Sequence, residues 1–121
     1  MKSGSQTEQA LLLAVTPPNR LILSQAVEDE FRQVIFRPKF DRFVFRDRRQ
    51  CILDIVLIAA ERIEPTEAVR ECRDPKDNKY LALAAVGKAD VIVSSDMHHL
   101  LPMHPWRGIS IVSPGDYLAV A

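Results

Sequence analysis

The sequence is poor in glycine and cysteine, and both shortages exclude classes of protein. Its four glycines do not form the glycine-rich loop that binds a dinucleotide or a nucleotide phosphate. Its two cysteines, Cys51 and Cys72, cannot make the disulfide framework of a small secreted protein. We therefore expect reduced thiols and a cytoplasmic protein.

Long apolar runs and net charge are also lacking. No apolar run approaches the roughly 18 to 20 residues of a membrane-spanning helix, and the opening segment MKSGSQTEQ is too polar for a signal peptide. We expect no membrane association. The 16 basic and 16 acidic residues balance, so the overall charge does not indicate a nucleic-acid partner.

What the chain does have is enough apolar material for one domain. It contains 121 residues, of which 47% are hydrophobic, so a core can form and disorder is not expected. This length suits one ordinary domain and is too short for two. We predict a single domain over residues 1–121.

Helical patterns alternate with short β-branched runs along the chain. The patterns predict helices at 6–15, 24–36 and 74–87, one or two helices within 41–60, and a helical turn or short helix from Ser113. They predict strands at 21–23, 62–65, 90–96 and 109–112. Strands without apolar–polar alternation, separated by helices, are typical of an α/β fold with a parallel sheet covered on both faces. Ligands of such sheets bind at the carboxyl ends of the strands.

Two aspartates open the segment RDPKDNKYLALAA, residues 73–85. Asp74 can cap the helix, with Pro75 in its first position and Asp77 at N3, where the helix dipole favours a carboxylate. Residues 80–86 are apolar on all sides, so the helix should be buried and its amino end should point into the molecule. A carboxylate held there needs a cation, a hydrogen-bond donor or a metal ion.

Two further acids fall in suitable places. Asp96 directly follows the predicted strand, beside the hydroxyls of Ser94 and Ser95, and Glu30 lies at the edge of the apolar face of the second helix. Periodicity only partly separates Glu30 from Glu28. Three converging carboxylates would repel one another unless a divalent cation such as Mg²⁺ or Mn²⁺ joined them. The alternative is that each acid is a cap or an ordinary salt-bridge partner.

Three blocks of sequence resemble the PIN-domain family, over about residue 11 to the end. They are LILSQAVEDEFRQVIFRPKF, ECRDPKDNKYLALAAVGKADVIVSSDMHHLL and ISIVSPGDYL. The nearest group is the toxin components of bacterial toxin–antitoxin pairs. The resemblance implies a three-layer α/β/α sandwich around a central, mostly parallel sheet, which cleaves RNA with Mg²⁺ or Mn²⁺. It implies catalytic and metal-binding roles for Glu30, Asp77 and Asp96, an outer role for Asp74, Ser94 and Ser95, and an antitoxin protein as partner.

One element of the family pattern has no counterpart in the chain. The family opens with a strand that ends in Asp-Thr-Asn, whereas KSGSQTEQALLLA resembles the loop and helix that come after that motif. We expect the first strand to be missing, through a start assigned too far downstream, a real truncation, or replacement by a second copy. A lost ligand implies weak or no activity, and an exposed strand edge favours a homodimer. The alternative function is an inactive remnant that binds a protein partner or its own copy.

Residues 37–49, RPKFDRFVFRDRR, hold six basic residues, two acids and three phenylalanines. The arginines predicted to contact RNA phosphates are Arg42, Arg46, Arg48 and Arg49. The alternatives are a solvated helix face or a surface for an antitoxin peptide, and we expect the phenylalanines to lie partly in the core. The three histidines, at 98, 99 and 104, match no zinc-binding spacing, so we expect them in loops or at the surface.

Overall fold

The computed structural model describes residues 6–37 and 46–120, apart from the side chain of Arg46. The chain divides into two units, Met1–Arg62 and Ile63–Ala121. Each contains helices and one pair of parallel strands. Within the described ranges, no helix combines the length and the apolar character that a membrane crossing requires.

The first unit is built from three helices and two short strands. These are α1 (Gln6–Ala14), β1 (Ile22–Leu23), α2 (Gln25–Ile35), α3 (Arg46–Ala59) and β2 (Glu61–Arg62). The Ser24 hydroxyl caps α2 as predicted, because it accepts a hydrogen bond of 3.3 Å from the backbone N–H of Val27. Helix α3 packs against both α1 and α2, and β1 pairs in parallel with β2.

A buried carboxylate ties α2 to β2. The side chain of Glu28 is only 8% exposed and forms ion pairs with Arg32, at 2.9 Å, and with Arg62. Hydrogen bonds from Arg62 and then Arg32 lower the pKa of Glu28 below its ordinary value of 4.5, although desolvation opposes them. Glu28 is therefore a structural residue of this unit.

Acid should weaken the first unit through Glu28. A lowered folded-state pKa stabilises the fold at pH values above 4.5, and this stabilisation is lost as the pH falls below that value. We expect Glu28→Gln to lower the free energy of unfolding at pH 7 and to flatten its decline between pH 5 and pH 3. Urea unfolding at a series of pH values measures this, with exposed Glu67→Gln as the control that keeps the wild-type slope.

The second unit carries the remaining elements. After a 3-10 turn at Pro75–Asp77 come α4 (Asn78–Gly87), β3 (Val91–Val93), a second 3-10 turn at Leu101–Met103, β4 (Ser110–Val112) and α5 (Pro114–Val120). Strands β3 and β4 pair in parallel, with Ile92 opposite Ile111. The α/β class with parallel strands is confirmed, while the single domain over residues 1–121 stays a prediction.

The start of α4 differs from the predicted helix. Asp74 caps the 3-10 turn by accepting a bond of 3.0 Å from the N–H of Lys76, and its carbonyl accepts from the N–H of Asp77. These short-range bonds tighten the chain into a 3-10 turn before the α-helix begins. Asp77 thus stands at the N-cap position of α4 rather than at N3, and its side chain does not cap the helix.

Helix α4 is buried on most sides, as its apolar sequence predicts. Four consecutive residues, 81–84, are buried. The core cluster of this unit comprises Cys72, Leu81, Ala84, Ile92, Leu100, Trp106, Ile109 and Ile111. The amino end of α4 lies close to the segment after β3, because Oδ2 of Asp77 is 3.9 Å from Nδ1 of His99.

Candidate metal centre

Three side chains of the second unit converge at the amino end of α4. One ligand atom each from Asp74, Asp77 and His99 lies within 4.8 Å of the other two. Asp74 and Asp77 come from the two ends of the 3-10 turn, and His99 comes from the turn after β3. We call these three residues, together with Asp96, the acidic centre.

His99 lies nearest to Asp96. Its Nδ1 is 3.4 Å from Oδ2 of Asp96, and 3.9 Å from Oδ2 of both Asp74 and Asp77. The carboxyl side chains are partly shielded from solvent, with exposures of 14% for Asp77, 25% for Asp96 and 33% for Asp74. Three acids and one imidazole therefore share a half-buried space.

The backbone after β3 fixes the position of Asp96. Its N–H donates to Oγ of Ser94 at 3.0 Å. Its Oδ1 accepts hydrogen bonds of 3.1 Å from the backbone N–H groups of both His98 and His99. One carboxylate oxygen is thus held by the backbone, and the other, Oδ2, lies beside the imidazole of His99.

Asp96 also shares a hydrogen bond with Asp77. This bond is the main reason that the pKa of Asp96 lies below its ordinary value of 3.8, and burial opposes it. The N–H groups of His99 and His98 and the charge of His99 lower the pKa further. A hydrogen bond between two carboxyl groups needs a proton between them. A divalent cation can take the place of such a proton.

Cys72 joins the two segments that form the acidic centre. Its backbone N–H donates to Oδ1 of Asn78 at 2.8 Å, which holds the loop before Asp74 against the first residue of α4. Its thiol donates to the carbonyl of His99 at 3.8 Å. The positions of the acids and of the histidine are therefore coupled through a buried residue of the core.

The structure brings together most of the predicted acids. Asp74, Asp77 and Asp96 meet within the second unit, and the Ser94 hydroxyl supports the backbone of Asp96, while Ser95 is exposed. Glu30 lies on α2 of the first unit with a half-buried side chain. Its predicted role in metal binding stays a prediction.

The basic segment has a different outcome. Arg42 and the three phenylalanines of the segment lie outside the described residues, as does the side chain of Arg46. Arg48 pairs with the buried Glu8. Arg49 is fully buried and donates to the carbonyl of Ile35 at 3.1 Å. A buried guanidinium cannot reach a phosphate, so Arg49 does not enter the proposed RNA surface.

His99 is the residue of the acidic centre that the sequence did not single out. It lies in a loop, as predicted for all three histidines, but its side chain faces the acids, whereas His98 is exposed and His104 accepts a bond from the N–H of Ile111. Zinc-binding patterns relate histidines to cysteines and other histidines. The informative pattern here is the i, i+3 separation of Asp96 and His99 at the carboxyl end of a strand.

The donor atoms of the acidic centre suit a divalent metal ion. Carboxylate oxygens are the preferred ligands of Mg²⁺ and Mn²⁺, and imidazole nitrogen binds transition-metal ions. Ligand atoms that share one ion lie roughly 3 to 4 Å apart, because each is about 2.1 Å from it. The distances of 3.4 and 3.9 Å from His99 Nδ1 fall in this range.

A comparison with models of known protein families gives a match. The family model described as PIN domain matches residues 2–98, which include Asp74, Asp77 and Asp96. No curated protein matches the chain. No solved structure matches it either.

Proposed function

Because this chain belongs to the PIN-domain family, we propose that it is a metal-dependent endoribonuclease that hydrolyses phosphodiester bonds in RNA. The observation that carries the proposal is the convergence of Asp74, Asp77 and Asp96 within the matched region. Carboxylates packed this closely need positive charge between them. In a nuclease, a cation at this position can neutralise charge on the phosphate of the substrate and activate a water molecule.

Each carboxylate of the acidic centre has a proposed role. Asp77 and Asp96 hold the ion, and Asp74 caps the 3-10 turn and lies in the outer part of the site. The metal-binding role that the family resemblance implies for Glu30 stays a prediction. A bound Mg²⁺ or Mn²⁺ would supply an activated water and neutralise charge on the phosphate. The hydrogen bond with Asp77, and after it the backbone N–H groups of His99 and His98, lower the pKa of Asp96. The two backbone bonds also orient its carboxylate.

A groove next to the acidic centre supports RNA as the substrate. It is open, has a volume of about 500 Å³, and is lined in part by Pro75 and Asn78, the chain neighbours of Asp74 and Asp77. Arg70 and Lys79 also line it and supply positive charge. Phosphates of a single strand bind such cations, and Pro75 and Asn78 belong to the same segment as Asp74 and Asp77.

The proposals of a single domain, a toxin role, an antitoxin partner and a homodimer rest mainly on the sequence. The matched region crosses the division between Arg62 and Ile63, which supports a single PIN domain. The resemblance to toxin components supports the role of a toxin with an antitoxin protein as partner. A homodimer is also part of the proposal, because a strand edge can pair with another copy of the chain.

The test is RNA cleavage by the purified full chain with Mn²⁺. We expect slow cleavage that stops in EDTA, because EDTA binds the ion. Cleavage should also be lost in Asp96→Asn, because the variant lacks a carboxylate that holds the ion. Cleavage that survives EDTA would reject a metal-dependent mechanism. Metal binding without cleavage would favour the alternative, a catalytically inactive PIN-like module that binds a protein partner or its own copy.

A further inference from the structure

His99 is held with its ring directed at the carboxylates. Its backbone N–H donates to Oδ1 of Asp96 and its carbonyl accepts from the thiol of Cys72. Both ends of the residue are therefore fixed, by the loop after β3 on one side and by the core on the other. The Nδ1 atom then faces three carboxylate oxygens at 3.4, 3.9 and 3.9 Å.

This arrangement has two physical explanations. In the first, the imidazole is protonated and serves only as a counter-ion that relieves repulsion among the acids. In the second, the neutral imidazole offers the lone pair of Nδ1 to a metal ion that the acids also bind. The ligand atoms of Asp74, Asp77 and His99 lie within 4.8 Å of one another. The distances of 3.4 Å to Asp96 and 3.9 Å to Asp77 suit ligands of one ion. They exceed the roughly 2.7 to 2.9 Å of a hydrogen bond from a charged nitrogen to a carboxylate, which favours the second explanation.

We propose that His99 Nδ1 is a metal ligand and that it makes the acidic centre prefer Mn²⁺ or another transition-metal ion over Mg²⁺. This inference rests on the metal site of the proposed function and specifies its selectivity. Mg²⁺ is a hard ion that takes oxygen ligands and retains its waters, so a nitrogen donor adds little to its binding. Transition-metal dications accept imidazole nitrogen readily, so the same donor strengthens their binding.

The chain offers a matched control for this residue. His98 is the adjacent histidine, its side chain is exposed, and its backbone N–H holds Asp96 just as that of His99 does. His98→Ala and His99→Ala therefore remove the same side chain and keep the same backbone bonds to Asp96. Only the second removes a nitrogen from the acidic centre.

The experiment measures the binding of Mn²⁺ and Mg²⁺ separately to the full chain by titration calorimetry. We expect His99→Ala to lower the affinity for Mn²⁺ by at least about 10-fold, which is the lower end of the range for loss of a residue that supports a metal ligand. The affinity for Mg²⁺ should change much less. His98→Ala should change neither affinity. An equal loss for both ions in His99→Ala would overturn the proposal.

A spectroscopic measurement on the wild-type chain needs no variant to fold. Pulsed electron paramagnetic resonance of bound Mn²⁺ should show coupling to one directly bonded nitrogen, and labelling histidine with ¹⁵N should change that coupling. Bound Mn²⁺ without nitrogen coupling would overturn the role of His99 and leave the proposed function standing. A chain that binds neither ion would overturn both.

Discussion

Asp77→Asn should abolish metal binding and RNA cleavage while leaving the fold intact. Asp77 is the least exposed acid of the centre, at 14%, and it shares a hydrogen bond with Asp96. An asparagine amide can donate to Asp96 without an added proton, so the local structure should persist. Loss of residues that merely support metal ligands costs about 10- to 100-fold in affinity, and we expect the loss of a ligand to cost at least about 100-fold.

Thermal unfolding separates this effect from a folding defect. A ligand at 100 times its dissociation constant stabilises the wild type by about 2.7 kcal/mol, and we expect no such metal-dependent gain in Asp77→Asn. In EDTA the variant should unfold at the wild-type temperature or above it, because one negative charge has been removed from a crowded site. Asp90→Asn, which removes an exposed carboxylate of the same unit, should behave as the wild type. Full metal binding by Asp77→Asn would remove Asp77 from the site.

The largest expected loss of stability comes from Leu81→Ala. Leu81 is 0% exposed and belongs to the core cluster under the acidic centre. Truncation of a fully buried leucine costs about 2 to 5 kcal/mol, through lost burial and the cavity that remains. Small domains are stable by only about 5 to 15 kcal/mol, so this change should shift the urea midpoint strongly downward.

An exposed aliphatic residue provides the comparison. Ile58 is 85% exposed, and Ile58→Ala should change the free energy of unfolding by less than about 0.5 kcal/mol. If Leu81→Ala cost no more than Ile58→Ala, the packing around α4 would have to differ from the one described. Because α4 positions Asp77, a destabilising Leu81→Ala should also weaken metal binding.

Local chemistry in the sequence was enough to place most of the elements. Ser24 predicted the start of α2, because a hydroxyl before a helical pattern satisfies the first N–H groups. The all-apolar run after Asp77 predicted a buried helix, and its residues 81–84 are buried. The order of strand, loop and acid predicted that Asp77 and Asp96 would lie close together. The first two inferences depend on neighbours a few residues apart, and the third depends on the rule that ligands bind at the carboxyl ends of parallel strands.

The features that the sequence did not reveal depend on longer range or on finer geometry. Glu28 and Arg62 are 34 residues apart, and Glu8 and Arg48 are 40 apart, so periodicity could show that these charges exist but not that they pair. The 3-10 turn before α4 arises from competing bonds to Asp74, which a helix pattern does not distinguish. His99 lies beside the acids because its backbone N–H bonds to Asp96 and its carbonyl bonds to the thiol of Cys72, and these contacts are not visible in a sequence pattern.

The link between Cys72 and His99 makes thiol chemistry a reporter of the acidic centre. Cys51 is exposed and Cys72 is buried, so an alkylating reagent reaches Cys72 only when the core of the second unit opens, whereas Cys51 reacts from the closed state. We expect an ion bound at the acidic centre to favour the closed state and to retard modification of Cys72 by a factor that grows with the ratio of ion concentration to dissociation constant. The two native cysteines thus act as a probe and an internal reference for occupancy of the centre.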